Sequence, residues 1–298
     1  MLKEFALDPE LLSNWKDFRF FASQFGVSQG RVISRFPGDW QERVKRAAGN
    51  AKEVEFLKIV EALLRIESSM FIRDFDYEKG HQWIRNAVEE NQKRPFHAIV
   101  SSATHKDASN VLIGGDIDPT DPPNLWIVQT SIRINRTPDE MAACVQDLLS
   151  QCDEVLFIDP YFGPGKSKCT EPLKKFLEAV ARRGSRRMPS RIEYHLGNQD
   201  KDLVTFKLRL DERVKPHLPK NTRMLLVRWN KDQMHNRYIL TDRGGVMFGQ
   251  GLDMADGSFA VTHDTVSLLD QDTCISLLED YSSQSKKLTW LNEIVAVG

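Results

Sequence analysis

Cysteine is scarce in this sequence, with four in 298 residues: Cys144, Cys152, Cys169 and Cys274. None is paired as C-x-x-C, which excludes a zinc knuckle or a redox dithiol of the usual spacing. A chain this long buries a core without disulfides, so the four are read as reduced thiols. An excess of either charge is also lacking. Lys and Arg number 41 against 42 Asp and Glu, a formal net charge of −1. No whole-surface field exists to grip a polyanion, and any such site must be a local patch. No apolar run reaches the roughly 18–20 residues of a membrane span, so no transmembrane segment is expected. The opening MLKEFALDPE carries acids and no apolar stretch of secretory type, and the expected location is the cytoplasm. Internal repeats and low-complexity tracts are missing too. No group of acids, histidines or cysteines has metal-ligand spacing, so neither a metal nor another cofactor is expected.

What is present is an ordinary globular mixture, 41% hydrophobic and 28% charged, sized for one large or two modest domains. Residues 1–90 read as mainly helical. Leu11, Leu12, Trp15 and Phe18 recur at helical intervals, as do Val54, Leu57, Val60, Leu63 and Leu64, and then Trp83, Ile84, Ala87 and Val88. Trp15, Phe18, Phe20, Phe21 and Phe25 are expected in the core rather than on a base-stacking surface. After Pro95 the pattern shortens to strand-like runs at 96–100, 111–113 and 125–128. The proline-rich segment 118–123 is either a boundary or a long surface loop. The expected division is a helical or α+β region at 1–124 and a second domain at 125–298.

The second half is easier to read. Thr137-Pro138-Asp139-Glu140 is a capping box with proline at the first helical position, and a helix to about 150 follows. Strands are expected at 155–158, 191–196, 223–229, 237–240 and 245–248. Helices are expected at 171–183, 203–214 and 273–290. Alternating strands and helices predict an α/β fold with a mixed or parallel sheet.

The segment His235-Asn-Arg237-Tyr-Ile-Leu-Thr-Asp242, continuing to Gly249-Gln250-Gly251-Leu252-Asp253, spells H-x-R-x4-D-x6-G-x-G-x-D. On a strand, positions i and i+2 share a face, so His235 and Arg237 are expected to enter one pocket. Histidine near its neutral pKa is a nucleophile for phosphorus, and the cation beside it can hold phosphate oxygens. Asp242 is expected to return to the site once the strand turns. Gly249 and Gly251, with Asp253, are expected to line a phosphate. Asp159 and Tyr161 close a strand, where α/β sheets place ligand residues, against the plain alternative of a βα turn. His195 and His263 line the same pocket on one reading and are satisfied core or edge residues on the other. The basic run at 182–187, with Lys166, Lys168, Lys174 and Lys175 nearby, is either a solvated helix end or a phosphate-backbone patch.

This string resembles the signature H-x-K-x4-D-x6-G-S-x-N of the phospholipase D superfamily. The resemblance extends back through the Asp159-Pro-Tyr161 turn and covers the last 150 to 160 residues. Arg237 stands where the family has lysine, and Gly249-Gln250-Gly251-Leu252 where it has Gly-Ser-x-Asn. It implies a phospholipase D-like α/β sandwich with a mixed sheet. It also implies a metal-independent phosphodiesterase, in the first place a nuclease of the kind found in bacterial phage defence. His235 would be the nucleophile, Arg237 the phosphate clamp, and Asp242 the acid that orients the histidine or its neighbour. Family chemistry uses two motifs, one histidine forming a phosphohistidine and the other protonating the leaving group. None of the other six histidines heads such a string, so a symmetric homodimer is implied. Nucleic acid is the expected partner, with a protein partner open to the N-terminal half. The rival reading is a non-catalytic module that binds nucleic acid, a phosphoinositide membrane or another protein.

Overall fold

The computed structural model describes residues 1–184, 186–197, 202–230, 233–257, 260–281 and 290–298. Two compact units divide the chain, Leu2–Gln129 and Thr130–Gly298.

The first unit is built on a five-stranded parallel sheet in the order β3-β2-β1-β4-β5. Its strands are β1 (Lys3–Leu7), β2 (Arg31–Ser34), β3 (Met70–Phe71), β4 (Ala98–Ser101) and β5 (Val111–Ile113). Between them run α1 (Trp15–Gln24), α2 (Trp40–Ala47), α3 (Glu53–Ile66) and α4 (Trp83–Lys93). The second and third helices read from sequence are α3 and α4, but the first, expected over 5–21, is divided among β1, a 3-10 turn at Pro9–Leu12 and α1, and a mainly helical region does not form. β1, β2 and β3 are five, four and two residues long, too short to leave a period, and they are nearly all buried, so no alternation betrays them. Apolar clusters fill both faces of the sheet, as a parallel sheet requires. The run 125–128 is not a strand. Residues Asn124–Trp126 form a 3-10 turn that lodges the Trp126 ring edge-on against Phe5, Phe21 and Phe25. Segment 118–123 is accordingly a loop inside this unit.

The second unit carries an eight-stranded mixed sheet, ordered β13-β9-β8-β7-β10-β11-β12-β6. Its strands are β6 (Ser131–Asn135), β7 (Glu154–Ile158), β8 (Arg191–Gly197), β9 (Arg223–Trp229), β10 (Arg237–Thr241), β11 (Gly244–Phe248), β12 (His263–Leu268) and β13 (Trp290–Val297). β7, β8 and β9 are parallel and every other pairing is antiparallel. The helices are α5 (Pro138–Gln151), α6 (Ser167–Ala181), α7 (Leu203–Arg213) and α8 (Gln271–Asp280). Half of the capping box forms: Thr137 accepts from the Glu140 amide at 3.3 Å, while the Glu140 carboxylate accepts from the Asn135 amide at 2.9 Å, two residues before the cap.

One sheet face packs under α6, where Phe157 stacks on Phe176 and Phe248 meets Phe176 edge-on. On the other, Leu156, Ile158, Trp229, Tyr238 and Leu240 pack with Cys274 and Tyr281. Residues two apart share a face, so this pattern assigns every strand residue to the α6 side or the α8 side. The fold class is α/β with a mixed sheet. The expected terminal helix at 273–290 stops at Asp280 as α8; residues 282–289 lie outside the described residues, and from Trp290 the chain is strand β13 against β9.

Candidate functional site

β7 is a central strand of four buried apolar residues, and its last, Ile158, hands over to Asp159. Asp159 is 4% exposed. One carboxylate oxygen accepts from the Tyr161 amide and the other from the Leu252 amide, each at 2.8 Å. Burial pushes its pKa up, against the pull of those two amides. The carboxylate thus staples the turn after β7 to the segment that leaves β11.

β10 runs antiparallel to β7 with Tyr238 opposite Ile158. One further step in that register sets Arg237 opposite Asp159, on the α6 side. The Arg237 guanidinium lies over the Tyr161 ring, 5.1 Å from its centroid, a cation–π contact that holds it at the sheet end. Its Nη1 donates to the His235 carbonyl at 3.1 Å. Its Nε is buried and has no hydrogen-bond partner among the described residues. His235 comes just before the strand and is exposed.

Gly249, Gly251 and Asp253 follow β11. Gly251 has φ of +144°, and a Cβ there would sit 2.8 Å from Asp253 Oδ1 and 3.4 Å from Asp159 Oδ2. Only glycine fits. Three amides of the segment are already bonded within the protein, however. The Gly249 amide donates to the Thr265 carbonyl at 3.3 Å, Gln250 to Asp264 Oδ1 at 3.0 Å, and Leu252 to Asp159. Asp253 is no phosphate ligand either. Its carboxylate pairs with Arg136 and, at 2.8 Å, with Lys168, so it gathers two cations. Arg136 also donates to the Val261 and Asp253 carbonyls at 3.0 Å. The cations at this sheet end are Arg237 and the pair Arg136 and Lys168 that Asp253 holds.

Asp242 is elsewhere. It sits in the turn between β10 and β11, five strand steps from Arg237, about 17 Å at the usual rise. Its Oδ1 accepts from the Asp153 and Glu154 amides at 2.7 and 2.9 Å, and Arg243 pairs with its other oxygen at 3.4 Å. A hairpin needs two tight residues to turn, and those residues carry Asp242 away from His235. The basic run is at this same far end. Arg183 and Arg186 both reach Asp153 at 3.1 Å, and Arg183 is further bound to the Leu149, Cys152 and Arg187 carbonyls. It is a structural clasp rather than a phosphate patch.

His195 is on β8, but alternation turns it to the α8 side, opposite Asp159 and Arg237. It is 1% exposed. Its Nδ1 accepts from the Trp229 indole at 2.8 Å, which fixes the tautomer, and its Nε2 then donates to Glu193 at 2.8 Å. Burial lowers the His195 pKa and outweighs the carboxylate beside it. Burial raises that of Glu193, but the hydrogen bonds from His195 and Arg191 together overcome it, and the net shift is down. Neutral imidazole beside a carboxylate satisfies both. His263 opens β12, exposed, bonded to the Thr262 hydroxyl at 2.9 Å. It alternates away from Asp264 and the α6 side.

The sheet end thus brings together Asp159, Tyr161, Arg237, Gly251 and Asp253, with exposed His235 at its rim. It leaves out Asp242, His195 and His263. Three residues were not read from sequence as parts of this site: Arg136, Lys168 in this role, and Asp264. Asp264 is 3% exposed, its pKa is raised by burial, and its Oδ2 is buried and unpartnered among the described residues, as is Arg136 Nε. Its signal was an acid on the inward side of Asp264-Thr-Val266-Ser-Leu268. Arg136, Lys168 and Asp253 line an open cavity of about 500 Å³ with residues 254–257 and Ala260. Among the described residues no helix is long and apolar enough to cross a membrane, and no three His, Cys, Asp or Glu side chains are grouped to hold a metal ion.

No family model matches the chain, and no curated protein matches it. Among solved structures, an archaeal chromatin protein, TrmBL2, whose structure is described as showing a novel mode of DNA binding, is similar at 11% identity and a TM-score of 0.30 over 54% of this chain. The chain spans 54% of that protein's own length, and a likeness of this depth carries neither fold nor function across.

Proposed function

We propose that the second unit is a phospholipase D-like phosphodiesterase, a metal-independent nuclease that works through a phosphohistidine. One observation carries the reading. The H-x-R pair opens β10 at the sheet end where Asp159, Tyr161 and the 249–253 segment converge, with the histidine open to solvent and the arginine braced on an aromatic ring. His235 attacks phosphorus, the P–O bond to the leaving group breaks, and Arg237 balances the charge on the phosphoryl oxygens. The leaving oxygen takes a proton from a second histidine, supplied by His235 of the partner subunit. Water then attacks the phosphohistidine and returns a proton to that second histidine, and the P–N bond breaks. The sandwich fold of the superfamily, a cytoplasmic location and a part in phage defence go with this reading.

The test is cleavage of labelled DNA and RNA in EDTA by wild type beside His235→Ala. Chelator-resistant cleavage that disappears in the variant is the expected result. Cleavage lost in chelator and restored by magnesium or manganese would sink the covalent mechanism. The second reading, a binding module without hydrolysis, is favoured by the amides of Gly249, Gln250 and Leu252, which are occupied by Thr265, Asp264 and Asp159. On that reading the wild type binds nucleic acid and cleaves none.

A further inference from the structure

The loop from Asp159 to α6 does more than carry Tyr161. It forms one wall of a second cavity, about 290 Å³, between residues 163–166 and α7. Lys166 and Arg209 line it, with Phe206, Thr205, Asp202 and Pro164. Two glycines shape its cationic side. A Cβ at Gly163 would touch the Lys166 stem at 3.5 Å, and one at Gly165 would lie 2.7 Å from Arg209 Nη1 and 3.0 Å from its Cδ. The Arg209 guanidinium lies against bare backbone because Gly165 has no side chain. Arg213, one turn further along α7, donates to the Gly165 carbonyl at 2.9 Å, which ties the loop to the helix.

Charge in the cavity is unbalanced. The one acid among its described lining residues, Asp202, caps α7, accepting from the Val204 and Thr205 amides at 3.1 Å each. Lys166 and Arg209 have no ion-pair partner among the described residues. Two positive heads facing one small polar cavity repel each other until an anion comes between them. Gly163 is two residues from Tyr161, about 7 Å of chain at most, and Tyr161 is the ring on which Arg237 rests.

We propose that this cavity holds a phosphate flanking the one at Arg237, so that the substrate is a polynucleotide strand. The inference rests on the nuclease reading above and narrows it. An isolated phosphodiester fills one cationic point, whereas a strand delivers phosphates in series, and a second cationic cavity walled by the loop that carries Tyr161 suits a strand. A lipid needs an apolar path leading away from its head group. The exposed apolar residues of α7, Leu203, Val204 and Leu208, are turned roughly 100–140° from Arg209 around the helix and provide none.

The experiment is binding of a fluorescein-labelled single-stranded oligonucleotide to the full chain, measured by anisotropy across a salt series. His235→Ala stays in the background so that the probe survives. Arg209→Ala is expected to weaken binding about tenfold and to reduce the salt slope by about 0.7, the share of one lost phosphate contact on a single strand. Gly165→Ala, which leaves every charge in place, is expected to weaken it as well by displacing the guanidinium. Lys207→Ala removes one charge from the face of α7 turned away from the cavity and is the matched control. Several results overturn the site: a wild-type surface that does not bind the probe, unchanged affinity in Arg209→Ala, or an equal loss in Lys207→Ala. Arg209-dependent binding to phosphatidylglycerol vesicles without binding to the oligonucleotide overturns it too. Arg209-dependent binding with no cleavage by the histidine-intact chain would instead sink the reaction and leave the site standing.

Discussion

At the scale of single residues, Arg237 and His195 show how differently two members of one sequence reading can end. Arg237 meets solvent at the sheet end, lies over Tyr161 and keeps Nε unpartnered. Losing one charged donor to a phosphoryl transition state costs about 3–4 kcal/mol by analogy with oxyanion-hole deletions, or two to three powers of ten in rate. Arg237→Ala is expected to lose that much of kcat. Arg237→Lys keeps the charge and the stem over Tyr161 and is expected to lose less. Equal loss in both would mean that the planar fork, rather than the charge, holds the phosphate. His195 is enclosed between Trp229 and Glu193 and cannot take a second proton without turning an N–H toward the Trp229 N–H. Its folded pKa lies below the ordinary 6.5 or so. As pH falls, the unfolded chain binds that proton first. The stability contribution is therefore complete above about 6.5 and is lost below it. Thermal melts of wild type should fall between pH 7.5 and 5.5. His195→Phe strands two buried polar groups, about 1–3 kcal/mol each, so it should melt lower at pH 7.5 and respond less to acidification. Parallel pH profiles would refute the assignment. The H-x-R pair was legible because its members are two residues apart. Arg136, Lys168 and Asp264 were not, because the pairing of β6, β11 and β12 brings in Arg136 and Asp264, and the start of α6, tied to the Met254 amide, brings in Lys168.

At the scale of elements, Asp242 is a joint between strands. It ties the turn after β10 to the first amides of β7, the strand whose other end carries Asp159. Asp242→Ala gives up two charge-assisted hydrogen bonds at an exposed position, about 1 kcal/mol each. The expected outcome is a melting temperature lower by several degrees with kcat of the folded protein within a few-fold of wild type. A loss of kcat like that of Arg237→Ala, at unchanged melting temperature, would return Asp242 to the chemistry. Elements with local signatures were legible: the capping box at 137–140, and β7, β8, β9 and β10 as apolar runs with turn chemistry at their ends. β6 and β12 were not read, although Ser131-Ile-Arg-Ile-Asn135 alternates polar and apolar residues as a half-buried strand does. β1 was hidden inside an apolar series that also satisfied a helical interval. Phe5 and Leu7 belong to a strand, and Leu12 and Phe18 to the turn and helix after it.

At the scale of the whole molecule, one chain offers one H-x-R pair, and the proposed two-step chemistry wants a nucleophile and a separate acid across the phosphate. A twofold axis supplies the second histidine without further sequence. Co-expressed wild type and His235→Ala chains should form heterodimers with little activity, since each shared site then lacks one histidine. A monomer by light scattering that still cleaves would refute the shared site. The expected division at 124/125 rested on the proline-rich segment 118–123, which is a loop within Leu2–Gln129. The parallel sheet of the first unit was not legible, because its pairings join residues as distant as Phe5 and Ala98.

The order of the eight-stranded sheet reaches beyond catalysis. Its outermost strands, β6 and β13, are the first and last of the unit in the chain. Seven spacings of about 4.8 Å put them some 34 Å apart. The unit therefore resists circular permutation through a short linker, which would have to cross the full width of the sheet. A fluorophore pair attached beside Thr130 and at Gly298 would report on the integrity of all eight strands at once, since opening any one of the ladders between them changes the separation.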